Sequence, residues 1–437
     1  MPRKGHWQDM EGRAPHDATS RPLEPSYDYI IVGNGPAGVG GVEGIRSLDT
    51  QGSVLVLSDE RDLPYTRCLL PRFISGKASL KELTYRPSRF YERNDARLEL
   101  GQRAVHLDTE RRLLKLGDGR EVAYGKLLLA TGSSPVLRGP LGFANGVMSL
   151  RTLDDARAIS AAAMKGGRAL VLGGGLVGIA VAIALADRGM RVLLVVSSSQ
   201  VLSQNADRRA ADILTSHLRA KGVEVALATD ALDLHEDVGG RAAILSDGRN
   251  VPVDIVVSAK GVRPNAGLAA GASIKVGKGI IVDDQLRTSA AHVYAAGDAA
   301  EARDYISSMH GTMTLWPIAS EQGRVAGRNM AGAGEPYAGG IQICSVDFLG
   351  LVVASIGEAR GASGPDTAQE GACGPPYRRV FMREGRAVGA LEVLEGQGTR
   401  TSVPCTRIEA RSARALLLGP ELDIGMMEAL LLMDVRK

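Results

Sequence analysis

The sequence predicts an α/β protein built on two Rossmann-like folds carried in one chain. Three observations support this. The 437 residues exceed what one ordinary core holds, so two or three domains are expected. Glycine is abundant at 54 residues, while aromatics are scarce at 4% and the hydrophobic share of 44% is ordinary, which suits tight strand-to-helix turns and not disorder. Above all, one unit of strand, glycine turn, helix and strand occurs twice.

The first copy opens at residues 27–32 (YDYIIV), a short apolar strand with β-branched residues. It runs into Gly33, Asn34, Gly35, Pro36, Ala37 and Gly38, then a helical stretch, a buried strand at 54–57 (VLVL) and the acidic pair Asp59 and Glu60. In such a turn the glycines allow a sharp bend, close approach of a pyrophosphate and close packing of helix on strand. The pyrophosphate then sits at the positive end of the helix. The second copy enters from residues 168–172 (RALVL) into Gly173, Gly174, Gly175, Leu176, Val177 and Gly178, with a helix and the strand 192–196 behind it. One such motif is a weak signal. Two in the right context point to two dinucleotide sites. Two further strands end in small-residue turns, Ala130-Thr131-Gly132 and Gly297-Asp298. The second of these can bring a carboxylate and backbone N–H groups to a ribityl chain and pyrophosphate.

Composition narrows the other classes. Lys plus Arg number 52 against 49 Asp plus Glu, which gives no case for nucleic acid or an acidic membrane surface. No apolar run reaches the length of a membrane-spanning helix. Residues 1–26 are polar, without the apolar stretch of a secretory signal, and read as a flexible arm or as a segment that docks on a partner subunit. Cys68, Cys344, Cys373 and Cys405 share no short spacing, so neither a metal site nor a disulfide framework is expected, and a cytoplasmic setting is.

With these motifs in their order, the chain resembles the pyridine nucleotide-disulfide oxidoreductase superfamily, whose fold is that of glutathione reductase. The likeness runs from Tyr27 to the C-terminus. It implies that the first glycine turn, Ala130-Thr131-Gly132 and Gly297-Asp298 bind FAD, and that the inserted second unit binds NAD(P)H, with Ser197 and Ser198 at its edge. Gly261, Val262 and Arg263, opening a GVRPN segment, resemble the stretch beside the nicotinamide site. Residues 58–76 (SDERDLPYTRCLLPRFISG) and 315–332 (LWPIASEQGRVAGRNMAG) narrow the likeness to one branch. That branch holds the flavin module of NAD(P)H nitrite reductases, rubredoxin reductases, NADH oxidases and coenzyme A disulfide reductases. It implies FAD contacts from Asp59, Glu60, Arg67, Cys68, Val105, Trp316 and Pro317.

The implied domains are an FAD-binding domain of 27–148 and 275–333, an NAD(P)-binding domain of 149–274, and a C-terminal α+β interface domain of 334–437 that makes a homodimer. Strands are expected at 377–382 and 387–394, and a last helix at 421–433 with Ile424, Met427, Leu430 and Leu431 on one face.

Cys68 falls where single-cysteine members of the branch keep a redox thiol, and Arg67 beside it would favour the thiolate. Members that pass electrons to proteins lack this thiol. Two departures concern the nicotinamide half. Val196 stands where a Glu normally grips the adenosine ribose, and Ala180 where Glu or Lys often faces the nicotinamide. A carboxylate about 4 Å from a 2′-phosphate would cost about 4 kcal/mol at an effective dielectric of about 20. Its loss removes the usual barrier to NADPH, yet no Arg lies within 196–202 to select NADPH. Lys260 and Arg263 are either phosphate contacts or plain surface cations.

The expected function is an FAD-dependent NAD(P)H oxidoreductase that exchanges electrons with a rubredoxin- or ferredoxin-type carrier or an associated metalloenzyme subunit. A thiol-dependent NADH oxidase or coenzyme A disulfide reductase acting through Cys68, and a non-catalytic FAD-holding subunit of a larger redox complex, are the alternatives.

Overall fold

The structure, a computed structural model, describes residues 23–136, 146–237, 240–359, 367–369, 375–383 and 386–395. Most of the N-terminal arm, Cys373, Cys405 and the helix expected at 421–433 lie outside the described residues.

The strand Ser26–Val32 is buried on both faces at its C-terminal end, so it reads as an unbroken apolar run. It pairs in parallel with Val54–Ser58 on one side and Glu121–Leu129 on the other. Ala96–Leu100 extends the sheet in parallel beyond Val54–Ser58, and Val293–Ala295 pairs in parallel with Glu121–Leu129. The antiparallel strands Leu113–Leu116 and Ala104–Asp108 complete it. A second sheet is all parallel, in the order Val223–Leu227, Arg191–Val196, Arg168–Leu172, Ile255–Ser258, Val147–Ser149. Its outer face packs on an antiparallel three-stranded meander of Ala231–Asp237, Gly240–Leu245 and Asn250–Pro252.

The helices that matter for the site start at the strand ends. Pro36–Arg46 has Pro36 in its first turn, where a missing N–H is harmless. It packs along Trp316–Met330 through backbone-to-backbone contact: a Cβ on Gly40 would lie 2.5 Å from the Ser320 carbonyl oxygen, and one on Gly327 2.3 Å from that of Gly41. Leu176–Asp187 follows the second glycine turn, and Arg208–Ala220 is capped by Asp207, which accepts from the Ala210 N–H at 3.0 Å.

A third, antiparallel sheet runs Ile343–Phe348, Leu351–Gly357, Arg386–Glu395, Tyr377–Arg383, Thr367–Gln369, and both strands expected at 377–382 and 387–394 fall inside it. Phe348, Phe381 and Val393 from this sheet share one apolar cluster with Leu194 and Leu214 of the second unit and with Leu70 and Ile74. Among the described residues no helix is long and apolar enough to cross a membrane.

Candidate dinucleotide sites

Both glycine turns solve the same steric problem in the same way. Gly33 has φ +114° and Gly173 φ +115°, the region L side chains avoid. A Cβ on Gly33 would lie 2.0 Å from the Ala130 carbonyl oxygen, and on Gly173 2.5 Å from that of Ala259. A Cβ on Gly38 or Gly178 would lie 1.9 Å from the carbonyl oxygen of Gly33 or Gly173. Gly35 and Gly175, the helix N-caps, have nothing within 4 Å of that position and no side-chain cap. The first turn of each helix is therefore uncapped by any side chain, the arrangement that receives a pyrophosphate.

The first turn opens on a cleft lined by Gly33, Gly35, Pro36, Ala37, Asp59, Glu60, Arg67, Cys68, Ala130, Thr131, Gly297, Asp298 and Trp316. Gly38 lies behind it as a packing glycine. Gly132, with φ +69°, accepts through its carbonyl from the Asn265 N–H at 2.9 Å, and Pro317 follows Trp316 in the first turn of its helix. Val105 is half exposed on Ala104–Asp108, at an irregularity in the pairing of that strand, and is not among the residues that line this cleft.

A charge-matched network shapes the cleft. Arg67 donates to Glu60 Oε1 at 2.5 Å, to the Arg151 carbonyl at 2.5 Å and to the Tyr65 hydroxyl at 3.3 Å. Tyr65 donates to Glu60 Oε2 at 2.5 Å and accepts from the Leu153 N–H at 2.9 Å. Burial pushes the Tyr65 phenol well above its ordinary value, so it stays a donor at any working pH. Asp298 accepts from Arg151 at 2.6 Å and from the Ser133 hydroxyl at 2.8 Å. Arg67 is thus directed at Glu60 and at backbone, and its charge is matched there. Cys68 lines the cleft beside it, on the turn Arg67–Leu69.

The residues fit FAD. The side-chain amide nitrogen of Asn34, inside the glycine turn, is buried without a hydrogen-bond partner, while its oxygen accepts from Tyr91. A buried donor at the cleft wall calls for an acceptor there. The open position at Gly35 leaves the pyrophosphate the room a Cβ would fill. Asn34, Tyr65 and Arg151 were not anticipated from sequence. Arg151 reaches Asp298 across 147 positions, and no local pattern signals such a contact.

In the second unit Leu176 is half-buried and Val177 exposed, at the helix start. Val196 is buried against Gly174, and Ala180 is partly buried on the helix. Ser197 donates to Asp230 at 3.3 Å and Ser198 to the Gln200 carbonyl at 2.7 Å. Lys260 pairs with Asp230, and Arg263 is exposed. Gly261 has φ +98°.

The two units meet at Asn265. Val262–Pro264 pairs antiparallel with Ser133–Pro135. Asn265 donates from its side chain to the Thr131 carbonyl at 2.9 Å, and its own carbonyl accepts from the Thr131 hydroxyl at 2.7 Å. The loop closing the second glycine turn is thereby bound to the turn that walls the first.

The pyridine nucleotide-disulphide oxidoreductase family model matches residues 27–323. The chain belongs to that family. It is 32% identical over 408 residues to the NADH-dependent phenylglyoxylate dehydrogenase subunit epsilon of Aromatoleum evansii, covering 91% of this chain and 96% of the relative. It is 30% identical over 370 residues to the nitrite reductase [NAD(P)H] of Bacillus subtilis, covering 83% of this chain but only 45% of that longer protein. Among solved structures, the ferredoxin reductase of the CYP199A2 system from Rhodopseudomonas palustris superposes with a TM-score of 0.78 at 26% identity, over 84% of this chain and 91% of that one. Membership makes the chain an oxidoreductase that uses FAD and a nicotinamide nucleotide.

Proposed function

We propose that the chain is an electron-transfer flavoprotein that exchanges hydride with NAD(P)H and single electrons with a protein carrier of ferredoxin or rubredoxin type, or with an associated metalloenzyme subunit. The observation that carries this reading is the Asn265 bridge, which joins two independently built dinucleotide turns. FAD, when bound, supplies the conversion between two-electron and one-electron chemistry. The protein's own part is binding and orientation. The N-terminus of Pro36–Arg46 takes one pyrophosphate and that of Leu176–Asp187 the other. Glu60, oriented by Arg67 and Tyr65, faces the flavin nucleotide's ribose, and Asp298 its ribityl end.

The likeness to a ferredoxin reductase and to a dehydrogenase subunit supports a protein acceptor. Hydride exchange is reversible, so the carrier can be donor or acceptor. The reading includes a cytoplasmic setting, supported by cysteines without short spacing. It also includes assembly through the C-terminal unit, as a homodimer or with partner subunits, supported by the relative that is itself a subunit.

A thiol route through Cys68 is the competing reading, favoured by its place in the cleft wall. Cys68→Ser separates the two. Under the carrier reading, NADH-dependent reduction of a ferredoxin or rubredoxin stays within about twofold of wild type. Loss of that reduction in Cys68→Ser, together with wild-type turnover of coenzyme A disulfide or peroxide, would establish the thiol route instead.

A further inference from the structure

A dinucleotide fold ordinarily keeps an acid at the end of its second strand to hold the adenosine ribose. Here that corner is hydrocarbon: Val196 is 2% exposed, and its Cγ1 would lie 2.7 Å from a Cβ on Gly174. A carboxylate nevertheless stands beside it, supplied by the next strand. Val223–Leu227 runs parallel to Arg191–Val196, and its continuation stays bound to the same edge. The Thr229 N–H donates to the Val196 carbonyl at 3.1 Å, and the Ala228 N–H to that of Ser198 at 2.9 Å. This register sets Asp230 next to Ser197, whose hydroxyl donates to Asp230 Oδ2 at 3.3 Å.

The other side of the carboxylate is anchored. Oδ1 accepts from the Ala231 N–H at 2.9 Å and from Lys260 Nζ. The Asp230 N–H donates to the Ser246 hydroxyl at 2.9 Å. Lys260 follows Ala259, whose carbonyl closes over Gly173. The carboxylate is thus held between the acid-less strand end and the loop that covers the glycine turn.

We propose that Asp230 is the specificity-determining residue of the nicotinamide-nucleotide site, binding the adenosine ribose of NADH and disfavouring NADPH. The proposal rests on the redox reading given above. Oδ2 holds a long hydrogen bond from Ser197 and has capacity for a ribose hydroxyl. A 2′-phosphate in that place brings about two negative charges against the carboxylate. The cations at this corner already have partners. Lys260 is paired with Asp230 itself. Arg208 reaches the Ser199 carbonyl at 3.4 Å but is held by both oxygens of Asp212 at 3.0 Å.

The test is equilibrium binding of NAD+ and NADP+ to the FAD-loaded full chain by calorimetry, beside anaerobic flavin bleaching by NADH and NADPH. The wild type is expected to favour NAD+ by about tenfold or more. Asp230→Asn and Asp230→Ala should both weaken NAD+ and shrink that preference by about tenfold, with the bleaching rate at saturation unchanged. Lys260→Ala, which leaves the carboxylate unpaired, should widen the preference. Equal losses for both nucleotides would make Asp230 a structural residue and overturn the proposal. So would a wild-type preference for NADP+, or binding of neither nucleotide. Retained NAD+ binding without bleaching would overturn the redox reading while leaving the specificity assignment intact.

Discussion

Gly33 and Gly35 sit two positions apart in one turn, yet a side chain would do different harm at each. At Gly33 the added Cβ collides with the Ala130 carbonyl and the backbone has positive φ. At Gly35 the Cβ meets no protein atom, and what it enters is the space proposed for the pyrophosphate. Gly35→Val should therefore fold with a wild-type melting curve and far-UV spectrum, while its affinity for FAD falls by at least about tenfold, or about 1.4 kcal/mol. Gly33→Ala should instead lose folded protein. FAD retention by Gly35→Val at the wild-type level would place the pyrophosphate somewhere else. These glycines were legible in the sequence because a steric demand on backbone leaves a residue-type signature at fixed spacing. The ionic network was not. Arg67 reads in sequence as the neighbour that activates Cys68, but its guanidinium turns to Glu60, Tyr65 and the Arg151 carbonyl. Val105 sits at an irregularity of its strand, where it and His106 are both exposed, and no local pattern shows which way such a residue faces.

Helix Leu176–Asp187 ends on a residue of the wrong charge for a helix C-terminus. Asp187 is tolerated because Lys77 reaches it at 2.6 Å from the first unit and Lys221 at 2.8 Å from the end of Arg208–Ala220. Burial alone would raise its carboxyl, but the bonds from Lys221 and Lys77 outweigh this and hold it below the ordinary carboxylate value. A depressed folded value means that the contribution is complete above the unfolded value, near 4, and fades as pH falls through the folded one. Asp187→Asn should therefore cost about 2 kcal/mol at neutral pH. The gap to wild type should narrow towards pH about 3 in urea unfolding. A gap independent of pH would show that the ion pairs contribute nothing. Both glycine-turn helices are readable from sequence, and so are the strands before them. The partnership of Pro36–Arg46 with Trp316–Met330 is not, since it depends on facing glycines some 280 positions apart that carry no local signal.

At the scale of the molecule, the second dinucleotide unit is held from two directions. Asn265 ties it to the wall of the flavin cleft. Asp207 ties it to the C-terminal sheet, accepting from the Tyr377 hydroxyl at 2.5 Å and from Arg379 at 3.0 Å while it caps Arg208–Ala220. One apolar cluster backs this second junction. The duplicated unit made the two-site architecture visible in the sequence, because each copy carries its own motif. The junctions were invisible there, since the residues that make them find their partners in a different unit. The account stands on hydride passing between two sites that the chain holds in fixed relation. The direct measurement is an anaerobic titration of the FAD-loaded protein with NADH, following flavin absorbance in wild type and in Gly175→Val. The account predicts near-stoichiometric bleaching of the wild type. In the variant it predicts retained FAD that dithionite still bleaches but NADH does not, because a Cβ at that glycine meets no protein atom within 4 Å and enters only the space proposed for the nucleotide. A wild-type flavin left oxidised by both NADH and NADPH, or a variant bleached as readily as wild type, would contradict it.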